Sequence, residues 1–119
     1  MMIYENELVT LEIEISEIPW VKVFTKRKIK EFSECTVEEK LEIFRIIDIT
    51  EKLMLSYFKA DKINIASFGN MLPHVHWHIM ARFKADSYFP EPMWGSKQRE
   101  SVLSLPDFEI FFTKLREIL

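Results

Sequence analysis

Glycine is almost missing from this chain: only Gly69 and Gly95 occur in 119 residues. Glycine tolerates φ > 0 and lets a ligand approach the backbone closely, so both positions are candidates for a specific demand. Cysteine is scarcer still. The single Cys35 excludes an internal disulfide and leaves no Cys pair for zinc. That usage fits a reducing, cytoplasmic setting. Cys35 precedes an expected helix start, where a thiol pKa can fall, but an incidental cysteine is the plainer reading. No apolar run approaches the ~20 residues of a membrane span. The segment Met1-Met2-Ile3-Tyr4-Glu5-Asn6-Glu7 lacks the basic and apolar regions of a signal peptide. Charge of one sign is also lacking, since 16 basic and 19 acidic residues give a formal net charge of −3. A global nucleic-acid-binding surface is therefore not expected, nor is a membrane partner. The one basic cluster, Lys26-Arg27-Lys28 with Lys30, follows an expected strand and reads as a solvated loop.

What is present is enough for a core. Hydrophobic residues make up 48% of the chain, with ten phenylalanines. The length suits one compact domain, expected to cover 1–119. Leu11, Ile13 and Ile15 alternate with Glu12 and Glu14, which predicts a half-buried strand over Leu8 to Ile15. Ser16 to Pro19 turns the chain. Trp20 to Thr25 reads as a second strand, with Val21 and Val23 opposite Trp20, Lys22 and Phe24. Thr36-Val37-Glu38-Glu39 has the form of a capping box. A long helix is expected from there to about Phe58. Its core stripe runs through Ile43, Ile46, Ile47, Thr50, Leu53, Met54, Tyr57 and Phe58. Lys62 to Phe68 and His74 to Phe83 read as two more strands, and residues 86–101 as a loop. Pro106-Asp107 opens a last helix with Phe108, Phe111, Phe112, Leu115, Ile118 and Leu119 on its apolar face. This order suggests an α+β domain, a mainly antiparallel sheet with helices on one face.

All three histidines lie within five residues, His74-Val75-His76-Trp77-His78. On a strand, positions i, i+2 and i+4 share one face, while Val75, Trp77 and Ile79 share the other. One face can then be buried while the opposite one carries three imidazoles. Imidazole is a nucleophile, proton carrier and metal ligand near neutral pH. Phosphoryl centres are electrophilic and anionic, and attack on them needs such a nucleophile with charge stabilisation around it. His76 is the central one and attacks through Nε2 if an acceptor holds its Nδ1–H. Gly69-Asn70 would set successive amide N–H groups beside the histidines as a phosphate cradle, or form a plain turn, or both. For Gly95 the turn is favoured. Arg82 falls on the histidine face by period-2 counting, where it would offset phosphate charge.

The run His74 to Met80 resembles the signature of the histidine triad (HIT) superfamily of nucleotide hydrolases and transferases. Lys62-Ile63-Asn64-Ile65-Ala66-Ser67-Phe68-Gly69-Asn70 upstream is similar to it as well. Ala81-Arg82-Phe83 and Pro90-Glu91-Pro92-Met93-Trp94-Gly95 resemble small bacterial members. The resemblance implies a HIT-like domain with a sheet of about five strands, one long helix, a C-terminal helix and a homodimer. It implies cleavage at the α-phosphate of a purine nucleotide conjugate, either a nucleoside phosphoramidate or a dinucleoside polyphosphate. His76 would form a nucleotidyl-histidine intermediate that water resolves to a nucleoside monophosphate. His78 would contact the phosphate and leaving group, and His74 would orient the site. Asn64 would lie near the α-phosphate, with Gly69 and Asn70 in the turn region. No metal is required, although Mg²⁺ can accompany a polyphosphate substrate. The turn departs from the family pattern. A Gly-Gln-Ser type is common there, whereas this chain has Gly69-Asn70-Met71-Leu72-Pro73 and no serine at that place.

Two other readings stand beside this one. A nucleotide-binding regulatory module would keep the pocket without turnover, and the absent serine suits it. A metal site would use two strand histidines with a carboxylate such as Asp86 or Glu91. Three same-face histidines span roughly 13 Å at ~3.3 Å per residue. One ion with Zn–N bonds near ~2.1 Å does not readily join all three.

Overall fold

The computed structural model describes residues 1–119, and its central element is a fully antiparallel sheet. Its strands are β1 (Met2–Glu5), β2 (Val9–Ile13), β3 (Trp20–Thr25), β4 (Lys62–Ala66) and β5 (His76–Arg82). They lie in the order β1-β2-β3-β5-β4, so β5 is flanked on both sides and β4 is an edge. A short 3₁₀ turn (Phe32–Glu34) leads into α1 (Val37–Phe58), and α2 (Phe108–Ile118) closes the chain. The five strands and two helices match the α+β expectation.

Alternation assigns the faces. Val21, Val23, Ile79 and Ala81 are buried in one core cluster with Ile43, Ile46, Met54 and Phe58 of α1. Phe111, Phe112 and Leu115 of α2 join the same cluster. Each of these side chains except Ala81 contributes about 1.5–3 kcal/mol by leaving water. Helix α1 starts where the capping box predicts. The Thr36 hydroxyl accepts from the Glu39 amide at 3.1 Å, and the Glu39 carboxylate accepts from the Thr36 amide at 2.7 Å. Arg27 also grips that carboxylate, at 2.6 and 3.1 Å. The helix ends on Lys59, a non-glycine residue in the left-handed region at φ 57°.

Several boundaries are shorter than alternation suggested. β2 stops at Ile13, and Ile15 is 94% exposed because the chain has already left the sheet toward Pro19. β4 stops at Ala66. β5 begins at His76, so His74 lies before the strand and not on it. Ile118 in the last turn of α2 faces solvent.

Candidate functional site

The face of β5 turned away from α1 carries His76, His78, Met80 and Arg82. On β3, Phe24 pairs with His76, Lys22 with His78 and Trp20 with Met80. On β4, Ala66 pairs with His78 and Asn64 with Met80. The two strand histidines are 7% and 8% exposed, with ring centroids 4.9 Å apart.

Their tautomers follow from their partners. His76 Nδ1 lies 2.7 Å from the His74 carbonyl oxygen. A carbonyl only accepts, so Nδ1 carries a proton, and in the neutral ring Nε2 keeps a bare lone pair. The ring stacks on Phe24 at 4.8 Å, and Ser67 Oγ donates to the His76 carbonyl at 2.6 Å. His78 is the reverse. The Trp20 indole N–H donates to His78 Nδ1 at 3.0 Å, so a neutral His78 carries its proton on Nε2. Burial foremost, then repulsion from His76 whenever that ring is protonated and from the Lys22 ammonium, pushes the His78 pKa down to about 4. His74 is placed apart from both. Its Nε2 sits 2.7 Å from the Thr25 carbonyl, and its ring leans on Phe24 at 5.3 Å.

His76 and His78 open onto a cavity of about 380 Å³ whose other walls are Phe68, Gly69, Asn70, Met71, Leu72 and Trp94. That size accommodates a small ligand. Gly69 takes φ 73°, the left-handed conformation its residue type permits. No backbone carbonyl accepts from the amides of Gly69, Asn70, Met71 or Leu72, residues that line the cavity. Gly95 closes a turn by donating to the Pro92 carbonyl at 2.8 Å. A Cβ there would come within 3.0 Å of the Glu91 Cβ, so the turn itself accounts for this glycine.

Arg82 shares the histidine face, but its guanidinium is already committed. It is 1% exposed and pairs with Asp86 through Nε and Nη2 at 3.0 and 3.1 Å. Nη1 donates to Asn64 Oδ1 at 2.7 Å, and Nη2 to the Glu91 carbonyl at 2.7 Å. Asp86 also accepts from the amides of Phe83, Tyr88 and Phe89. Burial alone would push the Asp86 carboxyl up, yet Arg82 and these amides together hold it below the usual carboxylate range. Asn64 lines an adjoining cleft of about 420 Å³ that shares Phe68 and Trp94 with the first. The structure thus gathers His76, His78, Gly69 and Asn70 at one cavity. It joins Asn64 and Arg82 to each other beside it and leaves His74 outside.

Sequence reasoning missed the aromatic frame. Trp94 stands edge-on to His78 at 4.9 Å, to Phe68 at 4.9 Å and to Trp20 at 5.3 Å. Alternation had already placed Trp20 and Phe24 on one face of β3. Strand pairing was needed to show that this face meets the histidines.

A bare Nε2 beside an Nε2–H donor and backbone amides can attack an electrophilic phosphorus and hold the charge that develops on its oxygens. No three His, Cys, Asp or Glu side chains converge as a metal-holding group. No helix is long and apolar enough to cross a membrane.

A family profile described as HIT domain matches residues 1–85. A bis(5'-adenosyl)-triphosphatase of Saccharomyces cerevisiae is 30% identical over an alignment of 60 residues that covers 46% of this chain. The match spans only 29% of that relative's length. Among solved structures, a histidine triad protein of Bradyrhizobium japonicum is 25% identical with a TM-score of 0.80, covering 98% of this chain and 88% of that one. A histidine triad protein of Sinorhizobium meliloti is 26% identical at TM-score 0.80, covering 100% and 89%. One from Marinobacter aquaeolei is 25% identical at 0.80, covering 100% and 90%.

Proposed function

The chain belongs to the histidine triad (HIT) family, and on that footing we propose that it is a nucleotide hydrolase or transferase acting at the α-phosphate of a purine nucleotide conjugate. One observation carries the reading. The His74 carbonyl fixes the Nδ1–H tautomer of His76 and leaves its Nε2 free for attack, in a residue that lines the cavity. The curated yeast relative, whose described activity is on a dinucleoside triphosphate, supports the substrate class.

In this reading His76 Nε2 attacks the α-phosphorus, and the bond to the leaving group breaks with its electron pair passing to the departing atom, a phosphate oxygen that leaves as an anion or an amine nitrogen that takes a proton from solvent. The His78 Nε2–H hydrogen-bonds the departing atom. The ring of the nucleotidyl-His76 intermediate becomes cationic, and the His74 carbonyl stabilises that charge through Nδ1–H. Water then attacks the phosphorus and gives up a proton to solvent, the P–N bond breaks with its electron pair returning to Nε2, and a nucleoside monophosphate leaves with His76 restored. The amides of Gly69 and Asn70 hold phosphate oxygens, and Asn64, oriented by Arg82, faces the substrate from the adjoining cleft. His74 acts through its carbonyl. The homodimer implied by the family belongs to this reading too, with exposed Ile65 on the β4 edge supporting it; light scattering checks it.

The test follows AMP release from adenosine phosphoramidate and from diadenosine tetraphosphate, with and without chelator, beside His76→Ala. AMP formation that survives chelator and is lost in His76→Ala is expected, and the faster substrate names the leaving group. Nucleotide binding without AMP would favour a regulatory module instead.

A further inference from the structure

Trp20 occupies no place in the chemistry above, yet its indole is the only partner of His78 Nδ1. It sits on β3 opposite Met80, two residues along the strand from Lys22, which pairs with His78. Its ring reaches diagonally to His78, with centroids 5.7 Å apart at 65°, and Trp94 packs beside both rings, 5.3 Å from Trp20 at 76° and 4.9 Å from His78. Such diagonal contacts are within reach of a large aromatic on a neighbouring strand.

We infer that Trp20 is a positioning residue that locks His78 in its neutral Nε2–H tautomer and so makes it a hydrogen-bond donor toward the substrate. The indole nitrogen can only donate. A proton on His78 Nδ1 would set two N–H groups against each other, so both the Nδ1–H tautomer and the imidazolium are disfavoured. With the tautomer reversed, His78 would present a lone pair to the lone pairs of the leaving atom, and the contact would be repulsive. The neighbours act in the same direction. Lys22 on β3 opposes a positive charge on His78, as does His76 on β5 whenever its own ring is protonated, and Glu14, the acidic group that favours the charge, is held by Lys22 at 3.0 Å. Ala66 of β4 and Trp94 of the loop add no charge. Trp20 thereby gives the two strand histidines opposite tautomers: bare at Nε2 on His76, protonated at Nε2 on His78.

The test is long-range ¹H–¹⁵N spectroscopy of the imidazole rings in the full-length protein, with His78 assigned by loss of its signals in His78→Gln. Wild type at about pH 7 is expected to show neutral His78 with the proton on Nε2. Trp20→Phe keeps the ring and removes the N–H. In that variant the Nδ1–H form should become detectable and the protonation midpoint of His78 should rise. A wild-type His78 carrying its proton on Nδ1, or a mixture of tautomers, would overturn the inference without any variant, even if Trp20→Phe failed to fold. So would a folded Trp20→Phe with tautomer and midpoint unchanged. The kinetic consequence rests on the hydrolase reading. It is a kcat about fivefold lower at unchanged KM, the worth of about one neutral hydrogen bond. Absence of turnover in wild type would count against that reading alone, because the ring spectra need no substrate.

Discussion

The Arg82 guanidinium meets the Asp86 carboxylate with both side chains out of solvent, 1% and 0% exposed. Through the same head group Arg82 binds Asn64 on β4 and the Glu91 carbonyl, so one side chain ties the 86–91 segment to the sheet. Trp94, three residues beyond that segment, stands 4.9 Å from His78. Arg82→Leu strands a buried carboxylate, and removing one partner of such a pair costs about 3–5 kcal/mol. Urea denaturation should report a loss of that size. A loss below about 1 kcal/mol would mean that the pair is dispensable.

His78 makes stability depend on pH in a defined window. Its folded-state pKa is about 4, against an ordinary value of 6.5. As pH falls, the unfolded chain therefore takes the proton first. The contribution of His78 is full above pH 6.5 and is lost progressively as pH falls toward 4. The loss should amount to about 2 kcal/mol, discounting for the open side of the cavity. Denaturation midpoints across this range should flatten in His78→Gln. An equal slope in that variant would assign the dependence to other groups.

Two positive-φ positions make opposite predictions. Lys59 holds φ 57° with a side chain that disfavours it, so Lys59→Gly should stabilise the fold by up to about 1 kcal/mol. Gly69 holds φ 73° with nothing nearer than 3.6 Å to a built Cβ, so Gly69→Ala is penalised by backbone strain and not by collision. It should cost about 1–2 kcal/mol. Thermal melts of both variants check the pair of signs.

The fold was legible where local chemistry dictates it. Thr36 and Glu39 announce the start of α1, and Asp107 caps α2, its carboxylate accepting from the Ile110 amide at 3.0 Å. Alternation places Trp20–Thr25 with the observed limits. The strand Met2–Glu5 left no such mark. It is four residues long, and its ladder with β2 carries an irregularity between Met2 and Tyr4. Counting by twos carried the histidine face to His74 and Arg82, but periodicity reports a direction and not a partner. His74 lies before β5 and bonds Thr25, while Arg82 points along the expected face into a carboxylate that only the fold of the 86–91 loop supplies. Trp20 was visible as a face and invisible as a partner, because its contact with His78 joins residues 58 apart in sequence.

The nucleophilic role of His76 is tested most directly by rapid acid quench during turnover of the diadenosine substrate, followed by intact and peptide mass measurement. The account predicts an adenylyl adduct that appears within the first turnover, maps to His76, decays as AMP forms, and is absent in His76→Ala. AMP formation with no adduct at any quench time, or an adduct on another residue, would contradict it.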